Sequence, residues 1–370
     1  MNTPCFSYDM AILNETLHQL NDASSKRNYK VHYAVKANYN PQILDAIMLN
    51  GLGADCVSGR EIAWALEAGF NSDKVVFAGV GKSDEEIAYA ISNDIAMIHC
   101  EGLQEAITVN EIAKSQGKIV NIALRLNPNV NANTHAKITT GLSENKFGFS
   151  VIELNKLILM KDQLTNLNIQ GLHFHIGSQI RDLNIFKSLC EKVNDYIRFF
   201  ELNFNTLSYL NLGGGLGVNY DNPDAELIPD FEAYFATFEA NLLEKNIEVH
   251  FELGRSVVAQ CGKLYTKVLY VKESETKKFA VIDAGMTELL RPALYDAYHH
   301  IDFNGIAFKS DVQKYDVVGP ICESSDCLGK DVQLPELRRG DILVIRSCGA
   351  YGESMSLNYN GRIKQAAVYC

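Results

Sequence analysis

Short apolar runs alternate with helical stretches about eight times in the first two-thirds of the chain, and this rhythm constrains the fold more than any other feature. The runs end near Lys36, Val57, Gly79, Cys100, Leu126, Ile176, Leu212 and Leu253, and helical segments follow nearly all of them. Two of these helices carry start signals. Ser58-x-x-Glu61 and Ser83-x-x-Glu86 each read as a capping box, in which side chains satisfy orphan backbone donors. Gly51 and Gly69 stand where the matching helices should stop. Repetition of this kind is expected to give an α/β fold of the TIM type, a parallel (β/α)8 barrel. A doubly wound open sheet has the same local periodicity and competes with it.

After Arg255 the rhythm changes. Residues 264–271, 278–282, 313–318 and 342–345 read as strands without long helices between them, which predicts a second, mostly antiparallel β domain. The run 4–8 could add a strand to it. The expected division is therefore 10–257 for the barrel, and 1–9 with 258–370 for the β domain.

Composition narrows the partners. The 370 residues are 47% hydrophobic and 21% charged, the profile of a soluble globular protein with large cores. A net charge of -11 argues against nucleic acid or anionic membranes as partners. The nine cysteines are odd in number and scattered, with no CxxC pair, which points to a reducing, cytoplasmic setting. No long apolar run marks a leader or a membrane span.

Several residues could carry chemistry. Lys36, closing the run 31–35, would point into the mouth of a barrel, where partial burial favours the neutral amine needed for a Schiff base. A surface lysine ending a strand would look the same. His173 and His175 share one strand face, opposite Leu172, Phe174 and Ile176, and a barrel would turn them inward. They could be a metal pair, an imidazole stacked on a cofactor ring, or core histidines, and a third and fourth metal ligand at suitable spacing is missing. Gly213, Gly214 and Gly215 follow an apolar run where barrel phosphate sites form, and without Cβ atoms their amides can converge on an anion. Glu252, before Leu253, Gly254 and Arg255, could hold a pyridine nitrogen protonated or form an ion pair with Arg255. Arg291 and Tyr295 offer a carboxylate binder beside a phenol, and Tyr351 lies between small residues. Cys322, Glu323 and Asp326 group a thiol with two carboxylates in a turn begun by Pro320. A lysine, a phosphate cradle and a distant cysteine together suggest a pyridoxal 5′-phosphate enzyme.

These segments, in this order, resemble the diaminopimelate decarboxylase family of the alanine-racemase-like, fold type III group. The resemblance rests on 32–38 (HYAVKAN), 171–179 (GLHFHIGSQ), 211–217 (NLGGGLG), 283–286 (DAGM), 291–299 (RPALYDAYH) and 319–326 (GPICESSD). Arg291 with Tyr295, and Glu323 directly after Cys322, look like the diaminopimelate type rather than the ornithine type. The resemblance implies a lyase of lysine biosynthesis that converts meso-2,6-diaminopimelate to L-lysine and CO2. It implies that Lys36 carries the cofactor, that His175 stacks on its ring, and that Glu252 pairs with the ring nitrogen. Ser178, Gly213, Gly214, Gly215 and Tyr351 would hold the phosphate, with Leu253, Gly254 and Arg255 beside the cofactor. Arg255, Arg291, Tyr295 and Tyr351 would bind the substrate's distal carboxylate end and Glu323 its distal amine. Cys322 would return a proton to Cα from the partner subunit of a homodimer. A related carboxynorspermidine or ornithine decarboxylase, or a non-catalytic paralogue, are the alternatives. Leu253 stands where many members have proline, and Ser347-Cys348 where Asp-Ala is commoner.

Overall fold

The computed structural model describes residues 2–130, 146–204, 206–244, 246–305, 312–362 and 366–370. The chain opens with strand β1 (Cys5–Tyr8) and then builds eight parallel strands: β2 (Lys30–Ala34), β3 (Gly53–Cys56), β4 (Val75–Phe77), β5 (Met97–Cys100), β6 (Val120–Arg125), β7 (Leu167–His173), β8 (Tyr209–Asn211) and β9 (Glu248–Leu253). They close in sequence order, with β9 pairing β2 to seal the barrel. Helices connect the strands, as the βα rhythm predicts.

Local chemistry explains where those helices begin and end. Ser83 and Glu86 form a full capping box before the helix Asp84–Ser92. Ser58 caps the helix Gly59–Glu67 with its side chain, but Glu61 bonds the N–H of Val57 instead, so only half the expected box forms. Gly51 and Gly69 adopt φ of 81° and 90° just beyond their helices, a conformation that glycine takes without penalty.

Strand alternation then sorts the barrel. On β9, Phe251 turns outward onto Phe235, Phe238 and Tyr234 of the helix Phe231–Asn241, with ring centroids 4.9–5.7 Å apart. Its neighbours His250 and Glu252 therefore face inward. Burying each aromatic ring contributes roughly 1.5–3 kcal/mol, and this outer packing holds a polar interior in place.

The remaining strands are β10 (Gly262–Glu273), β11 (Lys278–Ile282), β12 (Ile301–Phe303), β13 (Gln313–Val318), β14 (Cys327–Leu334), β15 (Ile342–Ile345) and β16 (Val368–Tyr369). They form a sheet in the order β12-β15-β10-β11-β13-β14, with β1 joined to β10 and β16. Only the pairs β11–β13 and β1–β16 are parallel, so the sheet is mostly antiparallel. The residues group into two compact units: Leu17–Gly217 with Asp230–Gly254, and Met1–Thr16 with Val218–Pro229 and Arg255–Cys370. The segment Val218–Pro229, which the sequence boundaries put with the barrel, groups with the β unit and carries Tyr220 with it.

Candidate active site

Lys36 stands at the barrel mouth. It lies in a 3-10 turn, Val35–Ala37, just past β2 rather than within it, and its buried neighbours Val35 and Ala37 leave its side chain to emerge alone. Its Nζ donates to Asp55 Oδ2 at 2.9 Å. Asp55 is fully buried near the end of β3, and its Oδ1 has no hydrogen-bond partner. Burial and the negative charge of Glu252 raise the Asp55 carboxyl, while Lys36 opposes them. A cavity of about 470 Å³ opens here, lined among others by Lys36, Arg125, Phe147, His173, His175 and Glu252.

Both histidines of the HxH pair border this cavity, but they differ. His173 ends β7 and is fully buried, with its Nε2 at 3.1 Å from Glu252 Oε2. His175 lies beyond the strand and is partly open, and its Nδ1 meets the Gly214 N–H at 3.3 Å. His99 and Glu252 gather around His173 without His175, so the two histidines of the pair do not act as one ligand set. His99 and Glu252 come from β5 and β9, which sequence distance hid. Burial alone would raise the Glu252 carboxyl, but the contacts from His173 and His99 overcome it and hold it well below the ordinary range. Burial keeps His173 neutral, so N–H donation and not an imidazolium charge holds the anion.

The glycine run is also fixed by close packing. A Cβ on Gly213 would sit 2.3 Å from the Phe174 carbonyl oxygen, and one on Gly214 would sit 1.8 Å from that of Glu252. The loop therefore presses against the ends of β7 and β9, and only glycine permits this approach. The Gly213 N–H is taken by Asn211 Oδ1 at 2.8 Å. Ser178 follows β7 in the adjoining turn, where Gly177 has φ of 149°. Leu253 is buried, and a Cβ on Gly254 would press on Ala34 and Ala37 at 3.0 Å.

The β unit holds two buried guanidinium groups. Arg255 donates to the Tyr220 hydroxyl at 2.8 Å and lies 4.9 Å from the centroid of the Tyr351 ring. Arg291 opens the short helix Arg291–Tyr295, lies 4.7 Å from the Tyr220 ring centroid, and donates to His299 Nε2 at 2.7 Å. His299 must then carry its proton on Nδ1, which donates to the Arg346 carbonyl at 2.9 Å. Among the described residues Arg291 has no carboxylate partner. Burial lowers its pKa despite the nearby tyrosines. Tyr220 has no signal in the sequence, because it joins the arginines only through the fold, and the role of His299, which closes the 291–299 segment, shows only there.

In the turn after β13, Asp326 is structural. Its carboxylate accepts from the N–H groups of Met286 and Ile321 at 2.6 and 2.7 Å, and so fixes the loop. That leaves Cys322 and Glu323 exposed, with Glu323 Oε1 accepting from the Tyr359 hydroxyl at 2.8 Å. The unusual Ser347 bonds Gln260 at 2.5 Å and Cys348 is buried, so both are absorbed by the β unit's own packing.

A family model for the pyridoxal binding domain of pyridoxal-dependent decarboxylases matches residues 11–259. The diaminopimelate decarboxylase of Bacteroides thetaiotaomicron is 50% identical over 364 residues, 98% of this chain and 94% of that protein. The chain belongs to the diaminopimelate decarboxylase family. The family's Neisseria meningitidis serogroup B member is 39% identical over 368 residues, covering 99% of this chain and 87% of its own. A crystal structure of the Helicobacter pylori member complexed with L-lysine matches with a TM-score of 0.93 at 39% identity, covering 100% of this chain and 92% of that one. The cofactor of the family is pyridoxal 5′-phosphate, and the barrel mouth fits it. An amine, a deep carboxylate anion, an unpartnered Asp55 oxygen and a cavity of about 470 Å³ stand together. Among the described residues, no helix is long and apolar enough to cross a membrane.

The buried histidines also set an acid limit. Burial drives His32 and His175 down to about 3 and holds His173 and His299 well below their ordinary value. Each is neutral when folded and takes a proton when unfolded below about pH 6.5. The stability each contributes is thus complete above that pH and is lost as pH falls. Between about pH 7.5 and 5.5 the four together should cost roughly 5 kcal/mol. Glu61, raised by burial to about 7, opposes them. It binds a proton only in the folded state and returns about 2 kcal/mol. The apoenzyme should therefore lose up to about 3 kcal/mol of unfolding free energy over this interval, read from urea midpoints, and a rise in stability would overturn this reading of the histidines.

Proposed function

We propose that this enzyme decarboxylates meso-2,6-diaminopimelate to L-lysine and CO2 in the cytoplasm, as a homodimer with shared sites. The observation that carries this reading is a buried guanidinium, Arg291, with no carboxylate beside it among the described residues. A substrate with a second carboxylate supplies one. An ornithine or carboxynorspermidine decarboxylase has no need of such a group.

Bound pyridoxal 5′-phosphate supplies an electron sink for the pair left at Cα when CO2 departs. The residues of the chain do the rest. Lys36 is the attachment point, and Asp55, its carboxyl raised by burial, can take the ammonium proton so that the amine becomes a nucleophile. Glu252, held as an anion, keeps the cofactor's ring nitrogen protonated. His175 would pack on the ring, while Ser178, the loop of Gly213, Gly214 and Gly215, and Tyr351 would hold the phosphate. Leu253 and Gly254 close the wall nearby. Arg291 and Arg255 grip the distal carboxylate, aided by Tyr295, and Glu323 takes the distal amine. Cys322 Sγ gives its proton to Cα and is left as a thiolate, acting in the site of the partner subunit.

A substrate panel tests this. Diaminopimelate should release CO2 and yield lysine, and ornithine, arginine and lysine should be turned over at least about a hundredfold less well, since an unpaired buried charge is left behind in each case. Preference for a substrate lacking the second carboxylate would overturn the reading.

A further inference from the structure

Hydrogen bookkeeping around Glu252 fixes a relay that the proposed mechanism does not use. It starts at Gly213, whose backbone N–H can only donate, and donates to Asn211 at 2.8 Å. The receiving atom must be the amide oxygen. Asn211 Nδ2 then spends both its hydrogens, one on the Tyr209 hydroxyl at 3.0 Å and one on Glu252 Oε1 at 2.9 Å. Having accepted from Asn211, the Tyr209 hydroxyl turns its own hydrogen to His99 Nε2, 2.9 Å away. His99 Nε2 is therefore a bare lone pair, and a neutral ring carries its hydrogen on Nδ1. That atom lies 3.3 Å from Glu252 Oε1, off the hydrogen-bond line yet close enough to place the positive end of an N–H against the carboxylate. The two branches that leave Asn211 therefore meet on Glu252 Oε1.

The opposite tautomer fails on the same contacts. A hydrogen on His99 Nε2 would leave the Tyr209 hydroxyl hydrogen without an acceptor, and would aim a lone pair at a buried anion. His99 and Asn211 are both fully buried, and water has no part in the count. His99 also stacks on His173 at 4.1 Å between centroids, so the imidazole that feeds one carboxylate oxygen steadies the imidazole that feeds the other.

We propose that Asn211, Tyr209 and His99 are positioning residues that hold Glu252 ionised and oriented toward the cofactor's ring nitrogen, and that tie this carboxylate to the glycine loop through Gly213. None of the three needs to touch substrate. The inference rests on Glu252 facing that nitrogen, as proposed above. The low-lying Glu252 carboxyl agrees with it.

Tyr209→Phe removes only the hydroxyl and keeps the ring that packs 4.2 Å from His250. Three measurements decide. In wild-type apoenzyme labelled with 15N-histidine, the His99 signal should report a neutral ring protonated on Nδ1, and Tyr209→Phe, which removes one of the two constraints on that tautomer, should shift part of the population toward Nε2–H. Titration of pyridoxal 5′-phosphate into apoenzyme should give a dissociation constant about threefold to tenfold weaker for Tyr209→Phe, the scale of one lost hydrogen bond between neutral groups. The absorbance of the bound cofactor should also shift its pH dependence in the direction that Glu252→Gln shifts it, but less. A His99 found protonated on Nε2 in the wild-type apoenzyme overturns the relay, even if Tyr209→Phe fails to fold. So does a Tyr209→Phe that matches wild type in cofactor affinity while Glu252→Gln does not, and in that case the role of Glu252 survives. If Glu252→Gln itself leaves both affinity and absorbance unchanged, the reading of Glu252 falls and the relay falls with it. A merely structural tyrosine would lower the melting temperature and leave the His99 tautomer where it was.

Discussion

Lys36→Ala should fold, bind pyridoxal 5′-phosphate without holding it covalently, and lose decarboxylation by roughly 10^4-fold or more, the scale on which deleting a covalent catalyst acts. Lys36 lines the barrel-mouth cavity, and its amine already meets Asp55 at 2.9 Å. Borohydride reduction of the wild-type holoenzyme should label the peptide carrying Lys36, and label on another lysine would sink the assignment. The variant also tests the shared site. Mixed under exchange conditions with inactive Cys322→Ala, it should regain part of the activity, because one site of each heterodimer then has both residues intact. If both residues of a site come from one chain, no activity returns.

Arg291→Ala should damage use of diaminopimelate far more than binding of the cofactor. Truncating one partner of a buried charge pair typically costs roughly 2–5 kcal/mol, so kcat/KM should fall by about 30-fold to several-thousand-fold. Arg291 also donates to His299 at 2.7 Å, so some local repacking is expected. Arg291→Lys separates the two effects. It keeps the charge and loses the fork, and should recover only part of the loss. Wild-type kcat/KM in Arg291→Ala would refute the distal-carboxylate role. An equal loss of cofactor affinity would move the residue to the cofactor.

The barrel was legible because strands buried on both faces read as continuous apolar runs and helices announce themselves by period and cap. The closing strands β2 to β9 end within a few residues of the expected positions, with the largest slip at β7, where Phe174 and Ile176 prolong the apolar pattern past the last paired residue. Strands β12 and β14 were not legible. β12 has three residues, and β14 alternates charge and glycine on an exposed face. In the site, Lys36, His173, His175, Glu252 and the arginines could be picked out by type and motif. Asp55, His99 and Asn211 could not, although a signal was present. Each is a single polar residue in a short strand that is otherwise apolar or buried, and burial of that kind demands a partner. Tyr220 left no signal of any sort. Its value comes from meeting Arg255 and Arg291, which lie 35 and 71 positions further on. The glycine run was noticed for its composition, but its cause is the carbonyl oxygens of β9 and the segment after β7, visible only once the strands are side by side.

Arg291 has a further meaning. A cation buried among tyrosine rings and a neutral histidine lowers the stability of the fold that contains it, since part of its hydration is lost and no anion among the described residues replaces it. An apolar side chain of similar length would make a sturdier and inert protein. Discrimination among amino acids is in this sense stored as a folding defect. The ligand that repairs it is selected by the repair, and the specificity of the enzyme and its distance from its own greatest stability are two measures of one side chain.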